Sequence, residues 1–319
     1  MDRLLVPLDG SERSEQALPH AALFARLLEA SVCLLHVVTA DEQQSFAARQ
    51  EQLRALYLPH WQPLPVPEAV RRHDEAYLVR KVQLLREAGV TAAGELACGD
   101  PAEAIVAATG QPDVAMVVMA THGRGGMSRW LLGSVAHKVL RLSSCPLLAV
   151  RVAPSRPPAL RRILVPLDGS ALAREALPMA TALARMAGAS LLLLTALTPL
   201  FGLDPSVSLA PGEAQLRAVR DRALGELQRV AAEHPDIPIV CLVGEGFAGA
   251  TICREAERHG ADLIVMAAHG HGGPPRFGLG SVTDKVLHTA TVPVLVARER
   301  AVEPVGAAGL APEVALPGS

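Results

Sequence analysis

The sequence has no excess of charge of either sign: its 319 residues include 30 lysines and arginines against 32 aspartates and glutamates. Proteins that bind nucleic acid usually carry a clear basic excess, so this class is not indicated. The five cysteines are scattered and contain no CxxC pair. This pattern excludes a disulfide framework and a paired-cysteine zinc site, and it is typical of a reducing cytoplasm.

An unbroken membrane-spanning run is also lacking. Residues 186–203 carry no charge, but Gly188, Pro199 and Gly202 interrupt them, which predicts a helix end, a buried strand and a loop rather than a membrane span. Near the N-terminus, Asp9 comes before the apolar core of a signal peptide could form. We therefore expect a soluble, cytoplasmic protein.

An internal repeat organises the chain, whose length is itself typical of two domains. The segment LVPLDGS at 5–11 returns at 164–170, and VMATHG at 118–123 returns as VMAAHG at 265–270. The first copy carries about 12 extra residues between these motifs, because the two offsets are 159 and 147. The predicted organisation is a first domain at 1–152, a linker at 153–160, a second domain at 161–299 and a disordered tail at 300–319.

Short apolar runs alternate with longer amphipathic segments in both copies. Continuous apolar strands separated by helices indicate a parallel sheet covered on both faces, so each copy is predicted to be a doubly wound α/β domain. A single helix is predicted over 14–28. The predicted strands are 3–7, 31–38, 91–97, 114–120 and 147–152 in the first copy, and 162–166, 190–197, 239–243, 263–268 and 294–298 in the second.

Two loops at strand ends are candidates for a ligand, because doubly wound sheets bind ligands beyond the carboxyl ends of their strands. One places Asp9, and Asp168 in the second copy, just past the first strand. The other is a glycine-rich segment after the fourth strand, followed by a helix that Ser134 could cap. Backbone N–H groups and a helix N-terminus can cradle a phosphate, although a tight turn with an ordinary cap is the alternative. No GxGxxG follows the first strand and no GxxxxGK[ST] occurs, which disfavours dinucleotide and P-loop folds.

Both copies resemble universal stress protein domains over nearly the whole chain apart from linker and tail. The resemblance is carried by the opening VPLDGS, by the Gly99-Asp100-Pro101 turn, and by the family's nucleotide-binding signature G-x2-G-x9-G-[ST]. Three of the four signature positions match in each copy, with alanine at the first. The matching segments are Ala120-x2-Gly123-x9-Gly133-Ser134 and Ala267-x2-Gly270-x9-Gly280-Ser281.

This resemblance implies a five-stranded sheet of order 3-2-1-4-5, of the adenine nucleotide α-hydrolase-like type, and ATP, with or without Mg²⁺, at its switch point. It implies that Asp9 and Asp168 contact the nucleoside, that the backbone of Val37 and Ala196 meets adenine, and that the glycine loop holds ribose and phosphates. The candidate binding residues are Pro7, Asp9, Val37, Met119, Ala120, Gly123, Arg124, Gly126, Gly133, Ser134 and Val135 in the first copy, and Pro166, Asp168, Ala196, Met266, Ala267, Gly270, Gly273, Gly280, Ser281 and Val282 in the second. No catalytic residue and no metal-binding residue is predicted.

Several residues have a second interpretation. The methyl groups of Ala120 and Ala267 are harmless if φ is negative there and strained if φ is positive. Asp9 is either a Mg²⁺ ligand or a residue that caps its own loop. Arg124 either contacts phosphate or is solvated. The insert at 41–74 either forms a lid over the first site or covers the sheet.

Three functions stay open at this stage. The first is an ATP-binding regulatory protein of the stress response with little turnover, for which slow ATP hydrolysis or autophosphorylation on Ser134 is a subsidiary form. The second is an interaction or structural protein that does not bind ATP, favoured by the two alanines. The third is an adenylating or hydrolysing enzyme. The resemblance also implies that the two copies pair through their last strands, and it leaves a homodimer open.

Overall fold

The computed structural model describes residues 2–39, 44, 66–121, 133–151, 158–198, 213–269 and 279–298. The predicted tail, most of the predicted linker and most of the 41–74 insert lie outside these residues. Among the described residues, no helix combines the length and the apolar character needed to cross a membrane.

The described residues of the first copy form alternating strands and helices. The strands are β1 (Arg3–Leu8), β2 (Ser31–Val38), β3 (Ala92–Cys98), β4 (Val114–Ala120) and β5 (Leu147–Val150). The helices are α1 (Glu12–Glu15), α2 (Ala17–Leu27), α3 (Val66–Glu87), α4 (Pro101–Thr109) and α5 (Ser134–Leu142).

The second copy repeats this succession. Its strands are β6 (Arg162–Pro166), β7 (Ser190–Leu197), β8 (Ile239–Glu245), β9 (Leu263–Ala267) and β10 (Val294–Ala297). Its helices are α6 (Ala171–Arg174), α7 (Leu177–Ala187), α8 (Glu213–Ala232), α9 (Ala248–Arg258) and α10 (Ser281–Thr289).

The prediction of one continuous helix over 14–28 is wrong, because the segment divides into α1 and α2 around Gln16. Proline has no N–H to donate and its ring clashes with the preceding turn, so it is accommodated only near the start of a helix. Pro19 lies in the first turn of α2, and Pro178 lies in the first turn of α7 in the second copy. Both copies therefore begin a new helix just ahead of a proline.

The strands form one ten-stranded sheet of order β3-β2-β1-β4-β5-β10-β9-β6-β7-β8. Within each half the pairing is parallel and the order is 3-2-1-4-5, as predicted. The halves join where β5 and β10 pair antiparallel, with Leu148 opposite Leu295. The predicted pairing of the copies through their last strands is thus confirmed.

Each face of this sheet is covered by a hydrophobic core that runs through both copies. One core contains Phe24 of α2 and Leu183 of α7, with Leu148 and Leu295 between them on the central strands. The other core lies against α4, α5, α9 and α10. Because apolar burial is the main favourable term in folding, the two copies stabilise each other as halves of one folded unit.

Candidate functional site

The turn after β1 is built by the side chain of Asp9. Its Oδ1 accepts hydrogen bonds from the backbone N–H of Ser11 (3.0 Å) and from the Ser11 hydroxyl (2.5 Å). Ser11 in turn caps α1 by accepting from the N–H of Ser14. Gly10 between them has a φ of 78°, a conformation that favours glycine. This sequence folds into a closed Asp-Gly-Ser turn at the carboxyl end of β1.

The second copy builds the same turn. Asp168 Oδ1 accepts from the N–H (2.9 Å) and the hydroxyl (2.6 Å) of Ser170, which caps α6, and Gly169 has a φ of 83°. Of the two roles considered for Asp9, the structure therefore contains the loop-capping one, in both copies. An aspartate held in this way is fixed in orientation at the strand end.

The end of β4 leads to the start of α5 at the same edge of the sheet. β1 and β4 are parallel neighbours, with Leu5 opposite Val117, and α1 contacts β4. The carbonyl oxygen of Thr121, just past β4, accepts from the N–H of Gly133 (2.8 Å), the residue at which α5 begins. The Asp9 turn and the α5 N-terminus thus lie at one switch point, where strand order reverses.

The prediction that Ser134 caps α5 is wrong. The N-cap residue is Gly133, with extended φ and ψ of −60° and 149°, and no side chain of the described residues caps the helix. Ser134 is the first helical residue and is exposed. The first N–H groups of a helix have no intrahelical partner, and the end carries partial positive charge. Glycine at the cap brings no side-chain oxygen of its own to these N–H groups.

The second copy has the same arrangement with one additional hydrogen bond. Gly280 is the N-cap of α10, and its N–H donates to the carbonyl oxygen of Ala268 (2.9 Å). Ser281 is again the first helical residue. The buried hydroxyl of Thr283 donates to the carbonyl oxygen of Ala267 (3.0 Å), which fixes α10 directly to the end of β9.

The two alanines at the first signature position are free of conformational strain. Ala120 ends β4 and Ala267 ends β9, and neither is among the described residues with positive φ. Their methyl groups therefore fit the backbone without cost in φ and ψ. Met119 and Met266, the residues before them, are buried in the sheet.

The end of β2 borders the switch point from the other side. Val37 is buried and Ala196, its counterpart on β7, is half-buried. Just before Val37, the imidazole of His36 is 2% exposed, and its Nδ1 lies 2.8 Å from the carbonyl oxygen of Leu8. A carbonyl can only accept, so Nδ1 carries the proton. In the second copy the hydroxyl of Thr195 donates to the matching carbonyl, that of Leu167 (3.0 Å).

Helix α3 is tied to the first site by three side chains that the sequence did not single out. Asp74 Oδ1 lies 3.8 Å from His36 Nε2, and the ring of Tyr77 packs near the imidazole. Tyr77 Oη and Lys81 Nζ both donate to the carboxylate of Glu15 in α1, at 3.1 and 2.7 Å. A helical spacing of Asp74, Tyr77 and Lys81 on one face was the available signal, but it does not name the partners.

Part of the predicted site lies outside the described residues. Among the candidates, Gly123, Arg124, Gly126, Gly270 and Gly273 lie outside the described residues, as do the two loops around them. The remaining candidates lie at the carboxyl ends of β1, β2 and β4 or at the start of α5, and at the matching places in the second copy. In the part of the chain that is described, no three His, Cys, Asp or Glu side chains form a metal-binding group.

A cleft elsewhere in the molecule is separate from these sites. It lies between α2, the segment 158–161 and the residues that precede β9 and β10. Those residues enter the amino ends of the strands, whereas the candidate sites lie at the carboxyl ends. The cleft is mainly apolar, with His20, Arg161 and Asp262 in its wall.

Comparison with known proteins gives a consistent family match. The model of the universal stress protein family matches residues 1–151 and again 159–298. Universal stress protein Rv2005c of Mycobacterium tuberculosis is 30% identical over 320 residues, covering 93% of this chain and 97% of the relative. Universal stress protein YxiE of Bacillus subtilis is 30% identical over 150 residues, which is 47% of this chain and 99% of the relative.

A solved structure of a universal stress protein from Archaeoglobus fulgidus has the same fold. It superimposes with a TM-score of 0.62 at 22% identity, covering 93% of this chain and 98% of that one. The match extends over both copies and the junction between them.

Proposed function

The chain belongs to the universal stress protein family, and we propose that it is an ATP-binding regulatory protein of the stress response with little or no turnover. One observation carries this proposal. In both copies, an Asp-Gly-Ser turn and the glycine-capped start of a nine-residue helix meet at the point where strand order reverses. Doubly wound sheets bind nucleotides at this point.

The residues present fit the parts of a nucleotide. The N-termini of α5 and α10 offer backbone N–H groups and partial positive charge to phosphates, and the glycine at each cap brings no side chain of its own to compete. The ends of β2 and β7 offer extended backbone beside side chains that are buried in β2 and half-buried in β7, which suits a flat, mostly apolar base. ATP bound there would supply a charged triphosphate, which the N-termini of α5 and α10 would hold.

The proposed lack of turnover follows from how the aspartates are held. Asp9 and Asp168 use Oδ1 to accept from Ser11 and Ser170, and this contact closes the turn. A carboxylate engaged in its own loop is positioned to orient a ligand. We propose that ATP stabilises one conformation and is released unchanged, in the cytoplasm.

The test is a calorimetric titration of Mg·ATP into nucleotide-free protein. Two equivalents are expected, one for each copy. Ser134→Asp and Ser281→Asp should each remove one equivalent, because a carboxylate at the first helical position repels phosphate. The same carboxylate is favourable to the helix itself, so the melting temperature should not fall.

Absence of both heat and a thermal shift would overturn ATP binding and leave an interaction protein that does not bind ATP. Steady phosphate release that Asp9→Ala abolishes would replace the regulatory reading with an enzymatic one. Ser134→Ala serves as the matched control, because it removes the hydroxyl without adding charge. It should keep both equivalents, since the backbone N–H groups are expected to hold the phosphates.

A further inference from the structure

The two copies hold each other through a reciprocal pair of arginines. Arg151 directly follows β5, and its Nη1 donates to the carbonyl oxygens of His288 (2.8 Å) and Ala290 (3.1 Å) at the end of α10. Arg298 directly follows β10, and its Nη2 donates to the carbonyl oxygen of Leu140 in the last turn of α5. Each arginine therefore reaches from its own copy to the site helix of the other.

These contacts complete the helices that begin at the candidate sites. The last carbonyl groups of a helix have no intrahelical partners, and a cation near them is favourable. The Arg298 side chain is half-buried at this junction, and burial lowers the pKa of its guanidinium from the ordinary value. A half-buried donor that bonds a terminal carbonyl ties the end of α5, a helix of nine residues, to the other copy.

The same arginines adjoin the strand ends of the sites in their own copies. Val150, the residue before Arg151, pairs with Ala120, and its carbonyl oxygen accepts from the N–H of Thr121 (2.9 Å). Ala297, the residue before Arg298, pairs with Ala267. A short run of direct contacts thus joins each site helix to the strand end at the other site.

We propose that Arg151 and Arg298 are positioning residues that couple the two candidate sites, so that a nucleoside triphosphate bound at one changes the affinity of the other. This inference rests on the proposed function. Coupling between sites is reciprocal by thermodynamic linkage, so both sites must show it to the same degree. The expected size is about fivefold in affinity or more, at the lower end of measured couplings.

The experiment compares three Mg·ATP isotherms of the full chain. Ser281→Asp leaves only the first site, Ser134→Asp leaves only the second, and the unaltered protein has both. Independent sites require that the isotherm of the unaltered protein equal the sum of the two single-site isotherms. Coupled sites require a departure from that sum equivalent to about fivefold in one binding constant.

The arginines are then tested in the same three backgrounds. In the Arg151→Gln, Arg298→Gln double variant, the two-site isotherm should become the sum of its single-site isotherms. Arg185→Gln is the matched control, because Arg185 also lies in a last helical turn but pairs with Asp236 inside its own copy. Arg185→Gln should leave the departure of the two-site isotherm from the sum of the single-site isotherms unchanged. If the glutamine variant does not fold, Arg151→Lys, Arg298→Lys replaces it, because lysine lacks the planar fork of donors.

Each possible result either supports or overturns the coupling of the two sites. A departure from the sum that disappears only in the arginine variant supports the coupling. Two independent sites in the unaltered protein overturn the coupling while ATP binding stands, and a departure that persists in the arginine variant overturns the role of the arginines. Absence of heat in the unaltered protein overturns the proposed function and the coupling with it.

Discussion

The two copies agree where their strands end and differ where helices pack over those ends. Both contain the closed Asp-Gly-Ser turn and the glycine-capped site helix. Around these features, His36 of the first copy corresponds to Thr195 of the second, and the acid Glu15 corresponds to Arg174. The shared features build the turn and the start of the helix, whereas the differing residues join neighbouring elements through different side chains.

The ion pairs beside the two turns are reversed in sign. In the first copy Glu15 of α1 accepts from Lys81 of α3, at 2.7 Å, and in the second Arg174 of α6 donates to Glu233 of α8, at 3.2 Å. The first pair is about a quarter exposed and the second about half exposed. Since exposed pairs are screened by water, the first turn is held more firmly to its long helix than the second.

The largest expected effect comes from replacing His36, which corresponds to Thr195 in the second copy. His36→Ala should lower the free energy of unfolding by about 3 kcal/mol, because a large buried side chain is removed from beside Tyr77 and Asp74. His36→Thr, which introduces the residue of the second copy, should recover about 1 kcal/mol, because its hydroxyl can donate to the carbonyl of Leu8. Urea denaturation of both variants measures the two values.

Truncation of the matching residue in the second copy provides the control. Thr195→Ala removes only the hydrogen bond to Leu167, so it should cost about 1 kcal/mol. If His36→Ala and Thr195→Ala cost the same, the imidazole contributes no more than its hydrogen bond, and its packing beside Tyr77 and Asp74 adds no stability.

The repeat and its apolar runs predicted most of the strands within one or two residues, and the family resemblance supplied their order. Local rules were less reliable where two of them compete. Ser134 has the side chain of a good cap, but Gly133 before it takes the extended conformation at which the helix begins. The contacts of Asp74 with His36 and of Arg298 with Leu140 join residues far apart in sequence. Such pairs depend on packing, which no local pattern specifies.

The two copies differ at His20 in how low pH affects their stability. It is 6% exposed and burial lowers its pKa below the ordinary value of 6.5, whereas Met179 occupies the matching place in the second copy. A base whose pKa is lower in the folded state takes up its proton in the unfolded state first. Stability is therefore lost as pH falls below 6.5, by at most about 1.4 kcal/mol per pH unit. His20→Met should remove this part of the loss.

The measurement is the free energy of unfolding at several values between pH 7.5 and pH 5, for the unaltered protein and for His20→Met. The two curves should run parallel above pH 7 and diverge below it. Parallel curves throughout would show that His20 takes up its proton equally well in the folded state.

The smallest expected effect concerns the turn after the third strand of each copy. Asp100 caps α4 by accepting from the N–H of Glu103 (2.9 Å), whereas Phe247 holds the matching place before α9, 78% exposed and without a side-chain cap. Both residues have extended backbone, so Phe247→Asp should add the missing cap and about 1 kcal/mol of stability. Phe247→Ala removes the ring without adding a cap, so the difference in unfolding free energy between Phe247→Asp and Phe247→Ala gives the contribution of the cap. That difference should be present at pH 7 and vanish as the new carboxylate is protonated below about pH 4. Equal stability of the two variants at pH 7 would show that copying this residue does not copy the cap.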